Sequence, residues 1–81
     1  MTTLPCIVCK KGLESFDSGS INHAIDANSF QTRGQYGSAV FDPIDGTFLE
    51  VNICDSCLVE AAKQGRVMHG ANRTDLKPWK P

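Results

Sequence analysis

The chain has 81 residues, a formal net charge of −1 and a hydrophobic share of 41%. This length allows one small domain, and such a small core usually needs a metal ion or disulfides to stabilise it. The charge argues against a strongly basic nucleic-acid binder, and the composition argues against wholesale disorder. No apolar run approaches the roughly 18 residues that a membrane span needs.

The first predicted element is a short extended segment over Leu4–Lys11 that ends in a turn. It contains the pair Cys6 and Cys9. Two residues between cysteines let a tight turn direct both thiolates at one metal ion, so this segment is predicted to be a zinc knuckle. Backbone N–H groups that follow Cys6 are expected to donate to its sulfur. Lys10 and Lys11 either offset the thiolate charge or are simply solvated.

Residues 10–37 separate the knuckle from the next predicted element, and residues 13–37 show no sustained helical or strand periodicity. We expect an irregular insert or loop, which is either poorly ordered or functional because it is long for an inert connection. Two local alternatives remain open within it. Ala27–Thr32 could form a strand, and residues 21–28 could form a helical turn.

A β-hairpin is predicted over Ser38–Ile53. Its first strand is Ser38–Phe41, and Asp42–Gly46 supplies the turn, with Gly46 able to take a positive φ. In the returning strand, Thr47–Ile53, apolar residues at 49, 51 and 53 alternate with Glu50 and Asn52, which is typical of a half-buried strand. Phe48 falls on the polar face, so it either covers a second small cluster or contacts a partner.

The second cysteine pair, Cys54 and Cys57, opens a predicted helix. Good helix formers continue through residue 64, Asp55 is the candidate N-cap, and Gly65 is the expected stop. The positive end of the helix dipole favours a thiolate on Cys57.

The C-terminal part is expected to contain a short final strand within residues 66–70 and then a polar tail, so we predict a domain over residues 1–70 and a tail over residues 71–81. Residues 66–81 carry four basic residues and one acidic residue, a charge of +3, and the first 65 residues therefore sum to −4. This asymmetry would draw an acidic protein or a phosphate to one end. Trp79 either stacks on a base, fills a partner's pocket or folds back onto the domain.

Together the two pairs supply the four ligands of a closed tetrahedral site, which favours one structural Zn²⁺ held by Cys6, Cys9, Cys54 and Cys57. Iron is a chemical alternative with four thiolates. Two disulfides in a secreted fragment, or a dithiol redox protein, are further alternatives. His23 and His69 have no ligand partner three or four residues away, so we expect them to be surface or capping residues and not ligands.

The order of knuckle, hairpin and cysteine pair at a helix start resembles the treble-clef zinc-finger superfamily. The resemblance implies a small α+β metal-stapled domain in which the first pair lies on the knuckle and the second on the first turn of the helix. Residues 10–37 depart from that pattern, and a zinc ribbon stays open. Treble clefs serve many unrelated functions, so the resemblance does not decide the function.

The leading functional hypothesis is a small non-catalytic module that binds a larger protein. The candidate partner contacts are Tyr36, Phe48, Trp79, Arg73, Lys77 and Lys80. The alternative is a nucleic-acid-binding zinc finger that uses the basic C-terminal tail together with Lys10, Lys11 and Arg33.

Catalysis is not expected. A histidine–metal nuclease centre on a treble clef would need a histidine in the hairpin region, and residues 38–65 contain none. Asp42 and Asp45 suit a turn better than an acid–base pair. The N-terminal residues show no secretory signal, so we expect a cytoplasmic protein without membrane association. An exposed hairpin edge leaves a homodimer open.

Overall fold

The computed structural model describes residues 3–15 and 22–81. Over these residues it contains one helix and two antiparallel two-stranded sheets, an α+β arrangement as expected. Residues 16–21 of the predicted insert and residues 1–2 lie outside the described residues. In chain order the elements are β1 (Ala27–Thr32), β2 (Leu49–Cys54), α1 (Asp55–Lys63), β3 (Met68–His69) and β4 (Lys77–Pro78).

The hairpin joins β1 to β2, so the predicted first strand is wrong. β1 and β2 pair antiparallel over six residues each, from Ala27 opposite Cys54 to Thr32 opposite Leu49. Ser38–Phe41 lies instead in the connecting loop, where the Ser38 hydroxyl accepts hydrogen bonds from the backbone N–H groups of Val40 and Phe41. This local bonding competes with a strand ladder. The strand alternative for Ala27–Thr32 is confirmed, and an insert that is irregular throughout residues 10–37 is not.

The two faces of the hairpin differ from the simple apolar-in, polar-out expectation. Asn52, on the predicted polar face, is fully buried, whereas Leu49 on the predicted apolar face is exposed. The N-terminal segment covers the Asn52 face. Cys6 forms a parallel bridge with Asn52, and the Ile7 N–H donates to the Asn52 carbonyl at 2.9 Å.

The helix begins directly after β2, as predicted from the second cysteine pair. Cys54 is the N-cap residue and no side chain caps the helix, so the expected capping role of Asp55 is wrong. At the other end Gly65 has φ +73°. The Gly65 N–H donates to Ala62 and the Arg66 N–H to Ala61, both at 3.0 Å, which is a Schellman arrangement that ends the helix.

The C-terminal residues return to the domain. The predicted short strand is confirmed as β3, and β4 pairs with it through Met68 opposite Pro78 and His69 opposite Lys77. The Trp79 N–H also donates to the Val67 carbonyl at 2.9 Å. Strand pairing therefore crosses the boundary predicted at residue 70. The helix of the described chain is neither long nor apolar enough to cross a membrane.

Candidate metal centre

The sulfur atoms of four cysteines lie together at the junction of the knuckle, β2 and α1. All four are within 4.8 Å of one another, and the Sγ atoms of Cys9 and Cys54 are 3.8 Å apart. Four sulfurs at about 2.3 Å from a central metal ion would be about 3.8 Å apart along each edge of the tetrahedron. A disulfide needs a separation of about 2.05 Å, and all four cysteines are free, which contradicts the disulfide alternative. The cysteines Cys6, Cys9, Cys54 and Cys57 are positioned to bind one metal ion.

Two different local structures present these ligands. The knuckle is closed by the Lys10 N–H donating to the Cys6 carbonyl at 2.9 Å and the Cys6 N–H donating to Lys11 at 3.0 Å, and Lys10 takes a φ of +65°. Cys54 ends β2, and Cys57 lies three residues later in the first turn of α1. That spacing places both sulfurs on the same side of the helix start.

Backbone N–H groups stabilise negative charge on Cys6, as expected from the sequence. The N–H groups of Val8 and Cys54 each donate to the Cys6 Sγ at 3.4 Å. The backbone N–H of Cys9, followed by those of Cys54 and Val8, lowers the pKa of Cys6 to about 6, although burial opposes this. Its surroundings therefore favour the thiolate form of Cys6.

Cys57 shows the opposite effect because of its neighbours. The sulfurs of Cys54 and Cys9, helped by burial, raise the pKa of Cys57 to about 12. Four thiolates this close repel one another, so they cannot all be ionised unless a cation lies between them. The donor set thus fits a divalent metal ion with a preference for sulfur.

The hydrophobic core is an extension of this cluster. Cys6 and Cys54 are 1% and 2% exposed, and they pack with buried Leu13. The partly buried residues around them are Ala24, Ala27, Ile53 and Cys57. Because so few apolar side chains are fully buried among the described residues, an ion bound by these cysteines would supply much of the stability.

Sequence reasoning missed Asn52, which organises the polar side of the same region. Its amide nitrogen donates to the Leu4 carbonyl at 3.0 Å and to Asn22 Oδ1 at 2.5 Å. Its amide oxygen accepts from Asn22 at 3.1 Å and from the Ser29 hydroxyl at 2.8 Å. All four hydrogen-bonding positions of this buried amide are satisfied. One asparagine on an alternating strand carries no sequence signal for such a role.

Asn22 links this amide to the carboxylate of Glu50. Asn22 has φ +56°, a conformation that asparagine tolerates better than most residues. Its amide donates to Glu50, which also accepts from Gln31 at 2.7 Å, and these two side chains lower the pKa of the carboxyl group. The network therefore joins the N-terminal segment to both strands of the hairpin.

The predicted partner contacts fall into two separate groups. Tyr36 and Phe48 lie in the loop over residues 33–48, where Tyr36 is 96% exposed and the Arg33 guanidinium sits 5.6 Å from the centre of the Phe48 ring. Trp79, Lys77 and Lys80 instead line one open cavity of about 570 Å³ together with His69. Arg73 lies in the exposed connection between β3 and β4 and does not line that cavity.

The remaining polar candidates have structural roles or lie apart from the sulfurs. Asp45 accepts from the N–H and the hydroxyl of Thr47 at 3.1 and 2.7 Å, and the hydroxyl contact is the larger cause of its lowered pKa. This is the turn role predicted for it. Among the described residues, the metal-binding group contains only the cysteines, so neither His23 nor His69 joins it.

Comparisons of the chain with protein-family models, with curated proteins and with solved structures found no match.

Proposed function

We propose that the protein is a small, non-catalytic module of treble-clef type, built on one structural Zn²⁺. Four cysteines would fill all four coordination positions of a tetrahedral metal ion and leave none open for a substrate. Structural zinc sites are closed in this way. Knuckle, hairpin and helix follow one another in the order that this fold requires. Four free thiols also suit a reducing compartment such as the cytoplasm.

Native mass spectrometry with elemental analysis tests the metal. We expect one zinc per chain. One iron per chain would show that the metal is iron and would leave the proposed fold unchanged. A chain purified without metal that forms a Cys54–Cys57 disulfide reversibly would favour the dithiol redox alternative.

The function of this module, we propose, is to bind a larger protein through the loop over residues 33–48. The supporting observation is the exposure of three large apolar side chains, because Tyr36, Val40 and Ile44 are 96%, 93% and 103% exposed. Exposed apolar residues grouped in one long loop indicate a contact surface more than a connector.

The loop is held in shape by its own contacts. Gly34 lies against Asp42 and Pro43, and the Ser38 N–H donates to the Gln35 carbonyl at 2.9 Å. Near the end of the loop, the Arg33 side chain donates to the Gly46 carbonyl at 3.2 Å. A loop ordered before binding loses less entropy on binding, which favours affinity.

The chemistry of the loop indicates its partner. Residues 33–48 carry one basic residue and two acidic ones, and both Asp42 and Asp45 are exposed. The fitting partner is a protein with an apolar cleft that has a basic group at its rim, since opposite charges speed and orient association.

Affinity capture from a lysate of the native host tests this proposal. The tagged wild-type chain should retain a defined protein, and the variant Tyr36→Ser/Val40→Ser/Ile44→Ser should lose it while keeping one metal ion. The control variant Lys77→Ala/Lys80→Ala, which alters the other group of contacts, should retain the protein. Equal capture by the loop variant would contradict the proposal.

A second candidate function is binding of single-stranded nucleic acid at the open cavity formed by β3 and β4. Lys77, Lys80 and Trp79 line it together, which combines positive charge with an aromatic ring. A gel-shift series with a single-stranded oligonucleotide should then show binding that weakens as salt rises and that the control variant above abolishes. No shift at low salt would remove this candidate.

A further inference from the structure

β1 is an exposed edge of the hairpin. Five of its six residues are exposed, and its sequence, ANSFQT, contains no charged residue and no proline. Natural edge strands usually carry such residues, because an unprotected edge offers free N–H and C=O groups to another strand.

The hydrogen-bond pattern shows which groups this edge presents. The Asp55 N–H donates to the Asp26 carbonyl at 2.9 Å, which continues the β1–β2 ladder. In an antiparallel pair these groups alternate in direction, so residues 28, 30 and 32 bond to β2. Ala27, Ser29 and Gln31 therefore point their N–H and C=O groups outward, and over residues 3–15 and 22–81 no strand pairs with them.

We propose that two copies of the chain pair through β1, antiparallel and about a two-fold axis beside Phe30, to form a four-stranded sheet. The outward-pointing residues all have odd numbers, so an odd residue of one copy must lie opposite an odd residue of the other to exchange hydrogen bonds. This condition is met only when the two-fold axis passes beside one residue, which then faces the same residue of the partner. In the register centred on Phe30, Ser29 exchanges hydrogen bonds with the partner's Gln31, twice by symmetry.

Several registers place outward-pointing residues opposite one another, and Phe30 favours the one centred on itself. Phe30 is 41% exposed and lines an apolar cavity of about 430 Å³ with Leu58 and Met68. Centring the pair on Phe30 places the two rings opposite each other and extends this apolar surface across the axis. Aromatic cross-strand pairs are among the favourable ones.

The charges that flank β1 favour the antiparallel direction. Asp26 precedes the strand and Arg33 follows it. Antiparallel pairing brings Asp26 of one copy close to the partner's Arg33 at both ends, whereas parallel pairing would bring like charges together. A six-residue strand is about 20 Å long, so we expect a reversible, concentration-dependent dimer. This inference uses β1 and not the loop over residues 33–48, and it stands without the partner proposed above.

Sedimentation of the metal-loaded chain between about 10 µM and about 1 mM tests the proposal. The wild type should shift from monomer to dimer. Gln31→Pro removes one outward N–H per copy and keeps the β1–β2 ladder, so association should weaken about thirtyfold or more. Gln31→Ala removes the same side chain but keeps the N–H, and it should dimerise like the wild type.

Amide hydrogen exchange of the wild type reads the register directly and needs no variant. The amides of Ser29 and Gln31 should gain protection at high concentration, whereas those of residues 28, 30 and 32 should be protected at both concentrations. A chain that stays monomeric over the whole range overturns the proposal. A dimer in which Ser29 and Gln31 exchange equally at both concentrations overturns it too, because another surface would then mediate the contact.

Discussion

The β1–β2 hairpin has two ends that differ in almost every physical respect. At one end Ala27 and Cys54 lie in the cysteine-centred core, where Asn52 is fully buried and fully hydrogen-bonded. At the other end Thr32 and Leu49 lead into the loop over residues 33–48, whose apolar side chains face solvent. Contacts with the distant N-terminal segment hold the first end, whereas the second end is held mostly by contacts within the loop itself.

This difference would separate the stability of the fold from the partner binding that we propose for the loop. We call the end of the hairpin at Ala27 and Cys54 the metal end. Changes there should affect the whole fold, because the four cysteines, the core and the polar network around Asn52 meet at this end. Changes in the loop should affect binding and leave the metal centre intact.

Removal of the metal should unfold the chain. Structural zinc contributes on the order of 10 kcal/mol, which is comparable to the total stability of a typical domain. A strong chelator, or the substitution Cys54→Ser, should abolish the cooperative melting seen by circular dichroism. Ser56→Ala, an exposed change between the two helix ligands, is the matched control and should melt like the wild type. Unchanged melting in excess chelator would contradict a structural metal.

Acid should release the metal and the fold together. Backbone N–H groups, first that of Cys9, already lower the pKa of Cys6 from 9.0 to about 6. A group whose pKa is lowered on folding stabilises the folded state above its unfolded pKa, and this stabilisation is lost as the pH falls through the folded pKa. The stabilisation from Cys6 is thus complete above pH 9.0 and is lost as the pH falls through about 6.

A pH series that records circular dichroism and free metal should show both signals changing together below about pH 6, because a bound cation favours the thiolates further and moves their protonation to lower pH. The carboxyl group of Glu50, whose pKa is lowered, takes up its proton at a lower pH than Cys6. Glu50→Gln should therefore leave the midpoint of metal release unchanged. Metal retained at about pH 4 would contradict the prediction.

Asn52→Ala should lower the free energy of unfolding by about 2–4 kcal/mol. The substitution removes the buried amide with which Asn22, Ser29 and the Leu4 carbonyl form hydrogen bonds. Denaturant unfolding of the metal-loaded protein measures this. Asn28→Ala, an exposed asparagine on β1, is the control and should change stability by less than about 0.5 kcal/mol. Equal effects from the two variants would show that the polar network does not stabilise the metal end.

Local sequence patterns were sufficient to predict the metal end. Two residues between cysteines predicted that these four side chains come together, and the second pair predicted the start of α1 within one residue. Gly65 predicted the end of the helix because few other residues adopt its positive φ. Each of these signals depends on residues that are adjacent in sequence.

Strand partners and buried polar groups could not be predicted in the same way. β2 pairs with β1 across a loop of sixteen residues, from 33 to 48, and the nearer segment Ser38–Phe41 had a similar strand pattern. The choice depends on a register of six matched pairs and on the Ser38 hydroxyl, which caps the nearer segment locally. The burial of Asn52 depends on Leu4 and Asn22, which are distant in sequence, and periodicity contains no information about such partners.

Gly34→Ala should have the smallest effect on stability and a clear effect on the loop. Gly34 has φ +98°, and an added Cβ would lie 2.7 Å from Pro43 Cδ and 3.0 Å from Asp42 Cα. We expect a loss of about 1–2 kcal/mol, with metal content unchanged and with weakened capture of the loop's partner.

Gly37→Ala is the matched control for this change, because Gly37 has φ +114° but an added Cβ would meet nothing within 4 Å. If both variants lose partner capture equally, backbone strain alone would explain the loss. If only Gly34→Ala loses it, the contact between residue 34 and Pro43 is what holds Tyr36, Val40 and Ile44 in position for binding. We expect the second result, because a Cβ at position 34 would press on the opposite side of the loop whereas a Cβ at position 37 would point into open space.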